Sequence, residues 1–194
     1  MGGPPVTRVL VDANVFYSRT VRDWLGLMYT TPEVEPFLVC WTEDIMAELL
    51  YHLRKNHPGW DGGRIVAVRD QICGTFEAGR VREYAGTNES VRDPGDAHVA
   101  AAALACGADM LLTFDVNDFV HSDELPYEVW TPDDFFVLVN ESSPNLIASC
   151  VEKQIQHWSR KREDVDLVEM LQRAHCPKFA AVILERLRHI AHQR

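Results

Sequence analysis

Apolar residues along this chain follow two spacings. Short continuous runs rich in β-branched residues read as buried strands, and apolar residues three or four positions apart read as amphipathic helices. Val6-Thr7-Arg8-Val9-Leu10-Val11-Asp12 is the first strand, and Phe37-Leu38-Val39-Cys40-Trp41 the second. A third covers residues 109–114, a short one is expected from Arg80 to Tyr84, and a last one from Tyr127 to Trp130. Between them, Thr20 opens a helix through Trp24, Leu25 and Met28. Thr42 caps another whose core stripe is Ile45, Leu49 and Leu53, with Pro58-Gly59 as its stop. Residues 63–78 continue as a helix with Ile65, Val68 and Ile72 inward. Asp93-Pro94-Gly95-Asp96 begins an alanine-rich helix that stops at Gly107, with Pro94 at the first helical position. Strand and helix therefore alternate, which predicts a three-layer α/β domain with a mainly parallel sheet.

The strand signal stops at Ser142-Ser143-Pro144. Three helical segments follow, and the last carries a stripe of Phe179, Val182, Ile183, Leu187 and Ile190. The expected organisation is a loose lead-in over 1–5, an α/β domain over 6–142 and a helical extension over 143–194.

Composition changes this picture little: 46% hydrophobic and 25% charged is ordinary for a globular protein. The apolar runs are too short to span a membrane, and the first residues lack the pattern of an export signal, so a cytoplasmic location is expected. The five cysteines form no C-x-x-C pair and read as small buried thiols of a reducing compartment. Charge is more informative. The net value is −10, but residues 1–150 hold 10 Lys/Arg against 23 Asp/Glu, and residues 151–194 hold 9 against 6. An acidic body is unexpected for a protein that grips nucleic acid broadly. It suits local contact through metal and a few arginines, or a basic protein partner.

The candidate chemistry lies at the ends of the strands. Asp12 ends the first, and Asp115 ends the third, with Asp118 one turn later. Glu48 sits beside the core stripe of its helix, within two turns of the second strand's end. Asp96 shares a helix face with Val99, Ala100 and Ala103. In an open α/β sheet, strand C-termini and helix N-termini meet in one crevice. Each acid has an ordinary explanation as a cap or a solvated charge. Four at one rim would repel one another unless cations neutralised them, and an oxygen-only cluster suits Mg²⁺ or Mn²⁺. The spacing leaves Asp115 and Asp118 as alternatives for completing it.

These segments carry a resemblance. Val9-Leu10-Val11-Asp12-Ala13-Asn14, Glu48 within Thr42–Leu49, Asp96-Ala97-His98-Val99-Ala100-Ala101-Ala102, and Thr113-Phe114-Asp115-Val116-Asn117-Asp118-Phe119 resemble the PIN-domain ribonucleases, and in style the VapC-type toxins of toxin–antitoxin pairs. The resemblance covers about residues 6–140. It implies a PIN fold, Mg²⁺ or Mn²⁺ dependence and endonucleolytic RNA cleavage, with a cognate antitoxin bearing a basic segment as partner and a homodimer as the expected assembly. Asp12, Glu48, Asp96 and Asp115 fall on the family's acidic, catalytic positions, and Asp118 matches the aspartate before the closing Phe. Asp12, Asp96, Asp115 and Asp118 are the implied metal ligands, and Asn14 and Thr113 match the supporting polar positions. The extension after Ser143 departs from the compact toxins.

Metal-assisted hydrolysis would need no histidine base and no Ser or Cys nucleophile. Arg19, Arg22, Arg54 and Lys55 are candidate RNA phosphate contacts. Two rival readings remain. An aspartate-based phosphohydrolase of the haloacid-dehalogenase type would want Asp-x-Asp, but the chain has Asp12-Ala13-Asn14. A non-catalytic module would use the acidic crevice only to receive a basic protein segment.

Overall fold

The computed structural model of the protein describes residues 6–31, 37–84, 94–119, 125–161 and 165–192. Four strands, β1 (Arg8–Val11), β2 (Leu38–Cys40), β3 (Met110–Leu112) and β4 (Glu128–Trp130), form one sheet in the order β2-β1-β3-β4. Every pairing is parallel, with Leu10 opposite Cys40 and Leu111, and Leu111 opposite Val129. Val9, Leu10 and Val11 are all fully buried, so β1 is covered on both faces. This is the α/β architecture that the alternation of spacings predicts.

Nine helices accompany the sheet among the described residues: α1 (Ala13–Tyr17), α2 (Arg19–Tyr29), α3 (Glu43–Asn56), α4 (Gly62–Thr75), α5 (Ala97–Cys106), α6 (Pro132–Ser142), α7 (Pro144–Lys161), α8 (Leu167–Arg173) and α9 (Pro177–His192). Thr42 caps α3 by accepting from the Ile45 amide at 3.1 Å. Gly107 ends α5 in the left-handed region at φ 59°, where its amide satisfies the helix's last carbonyls. Two local expectations change. The short strand at Arg80–Tyr84 is a single parallel bridge between Trp41 and Arg80. The backbone reaches it through Gly79, where a Cβ would lie 1.8 Å from the Val39 carbonyl oxygen. Pro94 opens a 3-10 turn, Pro94–Asp96, so Asp96 stands at the N-cap of α5 rather than inside its first turn. Asp93 lies outside the described residues.

The chain divides into two compact units. One comprises residues 1–17 and 37–131, and the other residues 18–36 and 132–194. This differs from a division at 142/143, because α2 and α6 pack with the C-terminal helices. In that second unit Phe179 meets Trp24 edge-on at 5.2 Å and Phe136 at 5.1 Å between ring centroids. The Asp133 carboxylate accepts from the Lys178 and Phe179 amides and so caps α9. Phe179 and Ile183 of the expected stripe are fully buried, while Val182, Leu187 and Ile190 are half-buried. Truncation after Asn140 removes α7, α8 and α9 and uncovers Trp24 and Phe136. At roughly 1.5–3 kcal/mol per large apolar side chain, the truncated protein is expected to aggregate. Size-exclusion chromatography checks this, and a soluble, monomeric product would contradict it.

No helix of the described residues is long and apolar enough to cross a membrane. The described cysteines are all free thiols, and four of the five are buried.

Candidate functional site

The register of β1 on β3 sets the site. Val11 pairs with Leu112, so the next residues, Asp12 and Thr113, emerge side by side. In this strand order β1 has β2 on one side and β3 on the other, and ligands bind in α/β sheets where the connections part in this way. The Asp12 amide continues the ladder to the Leu112 carbonyl at 3.0 Å.

Asp12 is 4% exposed. Its Oδ1 accepts from the Ala13 amide at 2.6 Å, and its Oδ2 accepts from the Thr113 hydroxyl at 2.8 Å. Thr113 is itself fully buried and acts as a hub. Its Oγ1 also accepts from the Asn14 side-chain amide at 2.9 Å and from the Asp115 backbone amide at 3.1 Å. Asn14 Nδ2 then donates to Asp115 Oδ2 at 3.0 Å, and Asn14 Oδ1 accepts from the Phe114 amide at 3.2 Å. Two segments about a hundred residues apart are thus tied by side chains that belong to neither strand.

Burial pushes the Asp12 carboxyl up from 3.8 to about 7. The Thr113 and Ala13 hydrogen bonds oppose this, while the charges of Glu48 and Asp96 add to it. Three acids that sequence places at separate elements therefore act on one another. Glu48 projects from α3 with 35% of its side chain exposed. Asp96 is half-buried at the start of α5 and makes no cap hydrogen bond to that helix. Of the two late candidates, Asp115 is the one bonded into the hub. The Asp118 backbone amide donates to the Asp115 carbonyl at 3.0 Å, and its side chain is half-exposed.

Two histidines flank Glu48, and neither is among the expected site residues. His52 Nε2 lies 3.6 Å from Oε1, and His98 Nε2 lies 3.6 Å from Oε2. The other His98 ring nitrogen is 2.8 Å from the Gly95 carbonyl, which fixes the ring. His52 follows Glu48 by one helical turn, a spacing readable in the sequence. The approach of His98 depends on tertiary packing.

Of the cations expected to touch RNA, Arg54 and Lys55 are exposed in the last turn of α3, in the same unit as the acids. Arg19 and Arg22 belong to the other unit. Arg19 is exposed and pairs with Asp23 at 3.6 Å. Arg22 is 8% exposed, on the inward face of α2 with Val21, Trp24 and Leu25, and that burial does not suit a phosphate contact.

Comparison with known families matches residues 8–117, more than half of the chain, to the PIN domain. The chain belongs to the PIN-domain family. No curated protein matches it. PIN domains are generally nucleases, and they generally use divalent metals. Asp12, Asn14, Glu48, Asp96, Thr113 and Asp115 all lie within the matched span, and Asp118 lies one residue beyond it. Among the described residues no three Asp, Glu, His or Cys side chains converge closely enough to chelate an ion by themselves. The donor set of this PIN domain still fits Mg²⁺ or Mn²⁺ chemically. It is oxygen-only, and Mg²⁺ usually takes one or two carboxylates and keeps several waters. A carboxylate whose pKa is raised by burial, and further by its acidic neighbours, is also one that a cation would ionise.

Thr113→Val tests the hub. The valine takes the hydroxyl partner from one Asp12 oxygen and from the Asp115 backbone amide, and removes one of the two acceptors of the Asn14 side-chain amide. Loss of such an orienting contact typically costs 10- to 100-fold in metal affinity or activity, and cleavage is expected to fall by about that factor. A buried acceptor left unpaired also lowers stability, by roughly 1–3 kcal/mol. Cleavage rate and melting temperature measured together check both.

Proposed function

We propose that this PIN-domain protein is a divalent-metal-dependent endoribonuclease and the toxin of a toxin–antitoxin pair. The observation that carries the nuclease reading is Asp12, bonded to Thr113 and through it to Asn14 and Asp115, its pKa raised chiefly by burial and further by Glu48 and Asp96. Asp12, Asp96 and Asp115 would hold the ion, with Glu48 beside them and Asp118 as a further ligand. A bound Mg²⁺ or Mn²⁺ would neutralise phosphate charge and lower the pKa of the attacking water.

The chain's own groups do the rest. The Ala13 amide and the Thr113 hydroxyl hold the Asp12 carboxylate in one orientation. The Asn14 amide does the same for Asp115. Burial of Asp12 keeps bulk water from screening its charge, while Asp115 faces solvent at the open side of the site. Hydrolysis is expected to leave a 5′-phosphate and a 3′-hydroxyl. The direct test is incubation with labelled single-stranded RNA in Mn²⁺ and in EDTA, followed by analysis of product ends. Cleavage in Mn²⁺ alone, with those ends, is the expected result. Equal products in EDTA, or none in either, would refute the reading.

The toxin assignment rests on the motifs that resemble such toxins and on what the rim could receive. An Arg or Lys from a basic antitoxin segment would pair with Asp12, Glu48 and Asp96 as a cation does. Such a peptide and Mn²⁺ are expected to compete. Independent binding of both would place the partner elsewhere.

A further inference from the structure

An acidic catalytic rim repels the polyanion it is meant to cut, so the strand needs anchorage nearby. Helix α3 leads away from the rim, and its surface changes character within two turns. Glu48, Tyr51, His52 and Lys55 follow the i, i+3, i+4, i+7 spacing and share one face. Tyr51 is 58% exposed, an unusual position for an aromatic ring on a helix that buries four other residues. Lys55 Nζ lies over its ring at 5.6 Å, and the His52 ring meets it edge-on at 5.3 Å. At the end of the helix a second aromatic group continues outward. Tyr17 stacks with His57, His57 stacks on Trp60 at 4.2 Å and 11°, and the Arg64 guanidinium lies over Trp60 at 3.9 Å. Asn56 donates to the Tyr17 hydroxyl at 3.2 Å and ties α1 to this end of α3. Arg64 is exposed, and its guanidinium rests over the Trp60 ring.

Charge follows the same path. Residues 51–64 hold Arg54, Lys55 and Arg64 against Asp61 alone, in a chain whose net charge is −10. The Asp61 carboxylate is engaged in capping α4, where it accepts from the Arg64 amide at 2.8 Å. Aromatic faces interleaved with cations are what single strands bind, because every base has a face to stack and every nucleotide a phosphate to pair. Paired bases offer no such face to a side chain.

We propose that the α3 face from Tyr51 to Lys55, continued by the Trp60-supported Arg64, is a docking track for single-stranded RNA leading to the acidic rim. Bases stack on Tyr51 and on the outer face of the Arg64 guanidinium, and Lys55 and Arg54 take the phosphates. The inference rests on the ribonuclease reading for its choice of ligand. It can be tested apart from cleavage, because binding is measurable in EDTA.

The experiment is fluorescence anisotropy of a labelled 20-nucleotide single-stranded RNA with the full-length protein in EDTA. Tyr51→Ala and Arg64→Ala are each expected to weaken binding by roughly 5- to 100-fold, with Tyr51→Phe close to wild type. Lys55→Ala should reduce the salt dependence of binding by about one phosphate contact, a slope change of roughly 0.7. Melting temperatures should stay unchanged, because these side chains are exposed. Duplex RNA of the same sequence should bind at least about 10-fold more weakly. Wild-type affinity in both alanine variants, equal binding of duplex, or no binding of single-stranded RNA at all would each overturn the track. Cleavage by wild type with unaltered binding in the variants would overturn the track and leave the ribonuclease reading standing. Tyr51-dependent binding without cleavage in Mn²⁺ would do the reverse.

Discussion

In EDTA the protein is expected to lose stability as pH rises from 5 to 8, and Mn²⁺ or Mg²⁺ is expected to restore it. The Asp12 carboxyl titrates at about 7 in the folded protein, against 3.8 for an ordinary aspartate, chiefly because it is buried. The folded state therefore holds this proton more tightly than the unfolded chain. The resulting stabilisation is complete below about pH 4 and disappears as pH rises through about 7. Its full size is at most about 4 kcal/mol, or roughly 10 °C in melting temperature for a chain of this length. A cation beside the ionised carboxylate removes that penalty, so the gain from Mn²⁺ should grow from pH 5 to pH 8. Asp12→Asn should flatten the metal-free pH dependence and melt as high as wild type, or higher, at pH 8. Melting scans across pH, with and without metal, check this. A flat wild-type profile, or an equal metal gain at pH 5 and pH 8, would contradict it.

Asp96→Asn and Glu48→Gln are expected to lower RNA cleavage by about 100-fold or more while the fold persists. Each removes a carboxylate whose charge bears on Asp12, and neither is buried deeply enough to support the core. Both changes should also lower the Asp12 pKa, because like charges disfavour its ionised form. A collapsed fold in either variant would mean that the acid is structural, a cap or a surface pairing. Single-turnover cleavage beside a thermal melt separates the two cases. Undiminished cleavage in both variants would remove these acids from the reaction.

Several residues of this candidate site stand out in the sequence. Asp12 was legible because an unbroken β-branched run has every reason to be buried, and a carboxylate at its end needs a purpose. Asp115 repeats that logic at β3. That Asp115, and not Asp118, joins the Asn14–Thr113 hydrogen bonds was not legible, since it depends on Asn14 and Thr113 meeting across β1 and β3. Those bonds join residues about 100 positions apart, and local spacing carries no trace of them. His98 escaped notice for the same reason, whereas His52, one turn from Glu48, left a signal. The strand expected at Arg80–Tyr84 shrank to one bridge: its apolar run is short, and the close approach belongs to Gly79 beside Val39. The apolar stripe of α9 was visible, but its partners were not. Trp24 reads as a core residue from its spacing, yet only packing shows that Phe179, far along the chain, is what covers it.

In the function proposed above, Asp12 and the acids around it hold a divalent ion that drives RNA cleavage. The most direct test of that claim is the cleavage rate of single-stranded RNA titrated with Mn²⁺, for wild type and Asp12→Asn side by side, with both confirmed as folded. The wild-type rate should rise from near zero in EDTA to a plateau, and the variant should stay at least about 100-fold below it at every Mn²⁺ concentration. A variant that reaches the wild-type plateau, or a wild-type rate indifferent to Mn²⁺, would contradict the claim.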